Sequence, residues 1–167
     1  PIVILGFIFR DLISQRIFSI NDIAISNLIF ASILLFAFLN NKGKKTLINI
    51  TILGACFIGL FQCFALIPGA SRSGAAITAG LLIGLSLKDA SKFAFLLAIP
   101  TILGALTLLI FDLNNGNVSF DLLNISIGFF TSMIFAFFTI KLFLKLVEKI
   151  GMIPFVAVSY THLRAHE

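Results

Sequence analysis

The sequence predicts an all-α fold: a polytopic transmembrane helix bundle that contains a re-entrant helix-loop-helix. Three observations predict it. First, 59% of the 167 residues are hydrophobic and 11% are charged, against about 45–50% and a quarter in ordinary soluble domains. With a mean hydropathy of +1.13, so few charges could neither cover a soluble surface nor keep a disordered chain in solution. Second, the apolar residues fall into long runs separated by short polar clusters, and about 20 such residues cross a hydrocarbon core near 30 Å thick. Third, Pro68-Gly69-Ala70-Ser71-Arg72-Ser73-Gly74 breaks one run, and the apolar segment after it is too short to span.

Along the chain, residues Pro1–Phe9 read as the end of a span and Arg10–Asn21 as a polar connection. The chain starts at Pro1 rather than Met, with no charged region or small-residue cleavage site ahead of the first apolar stretch. That start is not a secretory signal, and the expectation is a fragment lacking its N-terminal part. Ile23–Leu39 forms a full span, closed by the basic turn Asn40-Asn41-Lys42-Gly43-Lys44-Lys45. Leu47–Ile67 is apolar and stops at Pro68, which cannot continue a helix. Ala75–Leu85 would rise about 16 Å as a helix, half of what a span needs. Ser86–Lys92 is polar, and Phe93–Phe111 spans with Pro100 as an expected kink. Asp112–Asp121 is a loop without bases, and Leu122–Leu146 spans towards Lys141, Lys145 and Lys149. Residues 1–156 form the membrane domain. The polar stretch Ala157–Glu167 is expected to be non-native sequence.

The net charge of +5 could suggest nucleic acid in a soluble domain, but here the bases sit between apolar runs. That is the pattern by which membrane proteins fix their orientation, so no nucleic-acid partner is expected. Lys42, Lys44 and Lys45, then Lys88 and Lys92, then Lys141, Lys145 and Lys149 all read as inside, and the 112–121 loop as outside. Residues 47–85 must then enter and return on one side, as a re-entrant hairpin with 68–74 at its tip. Non-helical backbone at membrane depth is tolerated only beside protein or a wet cavity. Cys56 and Cys63 match no zinc or CxxC spacing and read as free thiols.

The tip is the one constellation suited to chemistry. Burying Arg72 at membrane depth costs about 2.5–3.5 kcal/mol on insertion scales. It therefore calls for an anionic partner, either a carboxylate from another segment or an anionic ligand. The flanking helices hold no acid before Asp89. Gly69 and Gly74 permit close approach of backbone. A helix opening at Ser73-Gly74-Ala75 would aim free N–H groups and its positive dipole end at the loop. Ser71 and Ser73 add hydroxyls, and Arg72 adds a forked donor matched to phosphate oxygens. Gln62, before the loop, either lines the cavity or hydrogen-bonds between helices.

The run Gln62-Cys63-Phe64-Ala65-Leu66-Ile67-Pro68-Gly69-Ala70-Ser71-Arg72-Ser73-Gly74 resembles a signature of the undecaprenyl-diphosphatase family, the bacterial bacitracin-resistance proteins. The stretch from Phe93 to Pro100 and the ending Lys149-Ile150-Gly151-Met152-Ile153-Pro154-Phe155 resemble it too. The likeness covers nearly all of residues 1–156. It implies a multi-pass enzyme of the bacterial inner membrane with two re-entrant loops meeting in one site, acting on a polyprenyl diphosphate lipid with magnesium or calcium. Carried over, Arg72, Ser71 and Ser73 would be catalytic. Gly69, Ala70, Gly74 and Gln62 would contact substrate. Ala76 stands where the family commonly has Thr.

The family's other signature, a Glu-rich loop ending in Ser-Ser-Thr-Gly-His, is not in this sequence. The glutamates here are Glu148, beside Lys145 and Lys149, and Glu167; the histidines are His162 and His166. No metal-ligand set is visible, so the expectation is a chain that carries the diphosphate-binding half of a site and is inactive alone. A lipid-phosphate transporter or flippase is the alternative, since half-helix N-termini also face anions in secondary transporters. The sequence leaves the oligomeric state open.

Overall fold

The computed structural model describes residues 1–9, 18–43, 45–114 and 122–164. Among these residues the chain is helical, with one isolated backbone bridge between Lys45 and Leu85. The α-helices are α1 (Ile2–Ile8), α2 (Ile20–Asn40), α3 (Ile52–Phe61), α4 (Arg72–Leu82), α5 (Leu87–Asn114), α6 (Leu122–Ile150) and α7 (Ile153–Arg164). Three are long and apolar enough to cross a membrane: α2, α5 over Leu87–Ile110, and α6. The all-α bundle expected from composition is therefore the fold found.

Local chemistry sets the helix starts. Ser19 and Asp22 form a reciprocal capping box on α2, in which each side chain takes up the other's backbone N–H. Thr51 caps α3 through the N–H of Gly54. Ser86 accepts from the N–H of Asp89 and donates to its carboxylate. Residues 87–92, expected as a polar connection, are thus the opening turns of α5. The capping pair outweighs the polarity of the stretch. α5 also runs on through Pro100 to Asn114, past the expected end at Phe111. The rest of the 112–121 loop lies outside the described residues, as does most of the 10–21 connection. At the other end, α7 continues through residues 157–164.

The core forms around α4. Its residues Ala75, Ala76, Ile77, Thr78, Ala79, Gly80 and Leu81 are all buried. Of these, Ala76, Ile77, Ala79 and Leu81 share one core cluster with Ala31, Leu34 and Ala37 of α2, Ile58 of α3, and Ala90 and Ala94 of α5. Small side chains dominate the contact, as expected where helices approach closely within a membrane. α6 is the opposite case: its first two-thirds is exposed throughout, and Val147 near its end joins the core.

Residues 47–85 form a closed hairpin. α3 tightens into a 3-10 turn at Gln62–Leu66, the chain reverses, and α4 returns. The two ends meet: the Lys45 N–H donates to the Gly84 carbonyl at 3.1 Å, and the Ser86 N–H to the Lys45 carbonyl at 3.0 Å. Asn41 Nδ2 donates to the carbonyls of Leu81 and Leu85 at 3.0 and 2.8 Å. Lys88 pairs with Glu148 at 2.7 Å. These links bring Lys45, Lys88 and the end of α6 to one end of the bundle, the arrangement that the positions of the bases demanded.

Candidate active site

The hairpin reverses through a turn built from its sequence. The N–H of Ala70 donates to the Ile67 carbonyl at 3.1 Å, with Pro68 second and Gly69 third at φ +94°. This is the type II pattern, which wants Pro and then a residue of positive φ. Glycine is required here twice over, because a Cβ on Gly69 would collide with the carbonyl oxygen of Ile23. The turn therefore sits directly on the backbone of α2.

Beyond the turn, Ser71 is the N-cap of α4. Its Oγ accepts from the N–H of Gly74 at 3.1 Å and lies 3.3 Å from Ser73 Oγ. A helix leaves its first N–H groups without intrahelical partners. Ser71 satisfies that of Gly74, and those of Arg72 and Ser73 remain open among the described residues. The α4 dipole adds positive potential at the same point.

A cavity of about 190 Å³ lies beside this helix start. Gly69, Ser71, Ser73 and Gly74 line one wall, with Asn27 of α2. Phe30, Leu34, Ile77, Phe143, Met152 and Phe155 make most of the rest apolar, and Ser159 of α7 adds a further hydroxyl residue to the lining. A small polar end thus joins an aliphatic and aromatic interior, a shape suited to a ligand with a polar head and a hydrocarbon body.

Four of the expected site residues, Gly69, Ser71, Ser73 and Gly74, come together on this cavity. Ala70 is half-buried in the turn. Gln62 lies elsewhere: it is 2% exposed, its Oε1 3.5 Å from the Thr101 hydroxyl of α5, which donates to the Leu97 carbonyl at 2.9 Å. Of its two sequence readings, the contact between helices describes its position. Arg72 sits between two lining residues but is itself exposed, not enclosed as its apolar flanks suggested. The reason is its place at the first position of α4, ahead of the buried stretch that starts at Ala75. Among the described residues no carboxylate pairs with it. Asp22, next to Ile23, is held by the N–H and hydroxyl of Ser19, while Asp89 and Glu148 face lysines.

Asn27 was not singled out from the sequence. The available signal was a polar amide inside the apolar run Ile23–Leu39, where polar groups are expensive and tend to face the bundle interior. No group of three or more His, Cys, Asp or Glu side chains gathers among the described residues. Hydroxyls and a guanidinium do not make a ligand set for a hard divalent cation, so magnesium or calcium does not fit the described residues at this cavity.

Comparison with known proteins gives a consistent result. The family profile described as bacitracin resistance protein BacA matches residues 1–162. An undecaprenyl-diphosphatase from Alcanivorax borkumensis is 42% identical over 156 residues, covering 93% of this chain and 59% of the relative. The protein of the same name from Ruthia magnifica is 42% identical over 164 residues, or 96% of this chain and 61% of its own length. That from Bacillus subtilis is 38% identical over 159 residues, 93% and 57% respectively. The chain thus spans about three-fifths of the length of these curated relatives.

Proposed function

The chain belongs to the bacitracin resistance protein BacA family, and from that membership we propose that it is the diphosphate-binding part of an undecaprenyl-diphosphate phosphatase. The reaction is hydrolysis of a phosphoanhydride. Water attacks the terminal phosphorus, the bond to the bridging oxygen breaks, and isoprenyl phosphate leaves together with inorganic phosphate. The product serves as carrier lipid in cell-wall synthesis, and the enzyme resides in the bacterial inner membrane. The observation that supports this reading best is the cavity itself, with open N–H groups and hydroxyls at the helix start and mostly apolar side chains over the remainder.

Each residue has a task. The open N–H groups at the start of α4 and the Ser73 hydroxyl hold phosphate oxygens. Ser71 orders that helix start, and its hydroxyl hydrogen remains able to donate to the head group. Arg72, without a carboxylate partner among the described residues and beside the opening, swings onto the diphosphate and stabilises the charge that grows on the bridging oxygen. Its planar fork suits two phosphate oxygens at once. The isoprenyl chain lies against Phe30, Phe143 and Phe155. Proton transfer and activation of water need a base. No base lines the cavity among the described residues, and Glu148 is committed to Lys88 at the basic end. As the chain spans about three-fifths of its relatives' length, we assign the base to the rest of the full-length enzyme and expect the chain alone to be inactive.

Phosphate release from isoprenyl diphosphate, measured beside lipid movement in the same vesicles, tests the reading. The full-length enzyme should release phosphate and the isolated chain should not. Lipid transfer without phosphate release would instead favour a transporter or flippase.

A further inference from the structure

We propose that Asn27 of α2 is a further head-group-binding residue of this cavity, its side-chain amide donating to a phosphate oxygen. The proposal rests on the reading of the cavity as a diphosphate site. Asn27 lies within an apolar helix, and its Oδ1 is buried without a hydrogen-bond partner. Its amide makes no side-chain hydrogen bond to any described residue. Two other polar residues of α2 do: Ser32 Oγ donates to the Leu28 carbonyl at 2.8 Å and Asn40 Nδ2 to the Phe36 carbonyl at 2.9 Å. The residue is half-buried, and with no partner among the described residues its Nδ2 donors are free to meet a phosphate oxygen, which accepts.

Position supports the same conclusion. The turn at Gly69 rests on α2 at Ile23 and Ser26, which places Asn27 beside the loop that carries Ser71 and Ser73. All of them line one cavity. The chemistry fits too. A carboxylate there would repel a diphosphate, whereas a neutral amide adds a donor opposite those of α4. The ligand is thereby held from two helices rather than one.

The test is binding of farnesyl diphosphate, with farnesol as the neutral control, to this chain in phosphatidylcholine nanodiscs. Loss of a hydrogen bond to a charged group corresponds to about tenfold or more in affinity. Asn27→Leu should weaken diphosphate binding by that factor and leave farnesol unchanged. Asn27→Asp, nearly isosteric, should weaken it at least as much by repulsion, and it decides the matter if the Leu variant does not fold. Diphosphate binding within twofold of wild type in the folded variants overturns the role of Asn27 and leaves the diphosphate site standing. If wild type prefers farnesol or binds neither, the diphosphate site and the role of Asn27 both fall.

Discussion

Arg72 and its two serine neighbours have separable duties, and substitution should separate them. Ser71 caps α4, so Ser71→Ala should lower stability by about 1 kcal/mol as well as impair substrate binding. Among the described residues the Ser73 hydroxyl has only Ser71 Oγ within reach, at 3.3 Å. Ser73→Ala should therefore weaken substrate binding and leave the melting temperature in detergent unchanged; equal thermal shifts in the two variants would contradict this division. In the full-length enzyme, Arg72→Ala and Arg72→Lys should each lower turnover by about a hundredfold or more. Lysine keeps the charge and loses the fork, so near-normal turnover in the Lys variant would remove the bidentate role. Gly69 answers to backbone sterics rather than chemistry. Gly69→Ala should cost about 2 kcal/mol or more, from its positive φ and the Ile23 carbonyl, read as a lower unfolding temperature without any change in the residues that touch substrate.

Among the elements, the hairpin is the one on which the site depends, and Asn41 is its clasp. Its amide bridges the last carbonyls of α4 and the start of the next segment, and its Oδ1 accepts from the N–H of Gly43 at 2.6 Å. The Leu81 carbonyl keeps the Gly84 N–H at 3.0 Å, so Asn41→Ala should cost about 1–3 kcal/mol chiefly through the buried Leu85 carbonyl that it leaves without its amide donor. Amide exchange should then quicken at the α4 end while α6 is unaffected; unchanged exchange there would show that the clasp carries no strain of its own. The hairpin was legible in the sequence because charge and length together left no other path for residues 47–85. The capped start of α5 was not, because Ser86 and Asp89 look like loop residues until their mutual hydrogen bonds are seen. Gln62 takes the second of its two readings, the contact between helices, and the cavity position is taken by Asn27. Proximity along the chain favoured Gln62, but the 3-10 turn at Gln62–Leu66 rotates it towards α5, and Asn27 comes from a different helix altogether. Contacts between helices are set by packing, which periodicity alone does not specify.

At the scale of the molecule, α2 measures the depth of the site. The hairpin base is tied to Asn41 and its tip rests on Ser26. Fifteen residues separate them along α2, about 22 Å at 1.5 Å per residue. Against a core near 30 Å, the cavity lies towards the end of the bundle opposite its lysines. With the lysines on the cytoplasmic side, the head group would be met from the outer half of the bilayer. Cysteines placed at Lys42, Lys88 and Lys145, in a background with Cys56 and Cys63 replaced by Ser, should all react with an impermeant thiol reagent from one side; labelling of Lys42→Cys and Lys145→Cys from opposite sides would break this topology. The exposed apolar face of α6 belongs at this scale too, since hydrocarbon rather than water is its fitting neighbour.

Photo-crosslinking probes the binding of a diphosphate head at the hairpin tip most directly. An isoprenyl diphosphate with a diazirine on its first isoprene unit would be activated on the chain in nanodiscs and the adducts mapped. The expected adducts fall on the cavity wall at Phe30, Ile77, Phe143 and Phe155, and disappear with excess pyrophosphate or with Arg72→Ala. Adducts spread along the exposed face of α6 and indifferent to pyrophosphate would contradict a diphosphate site at Ser71–Gly74.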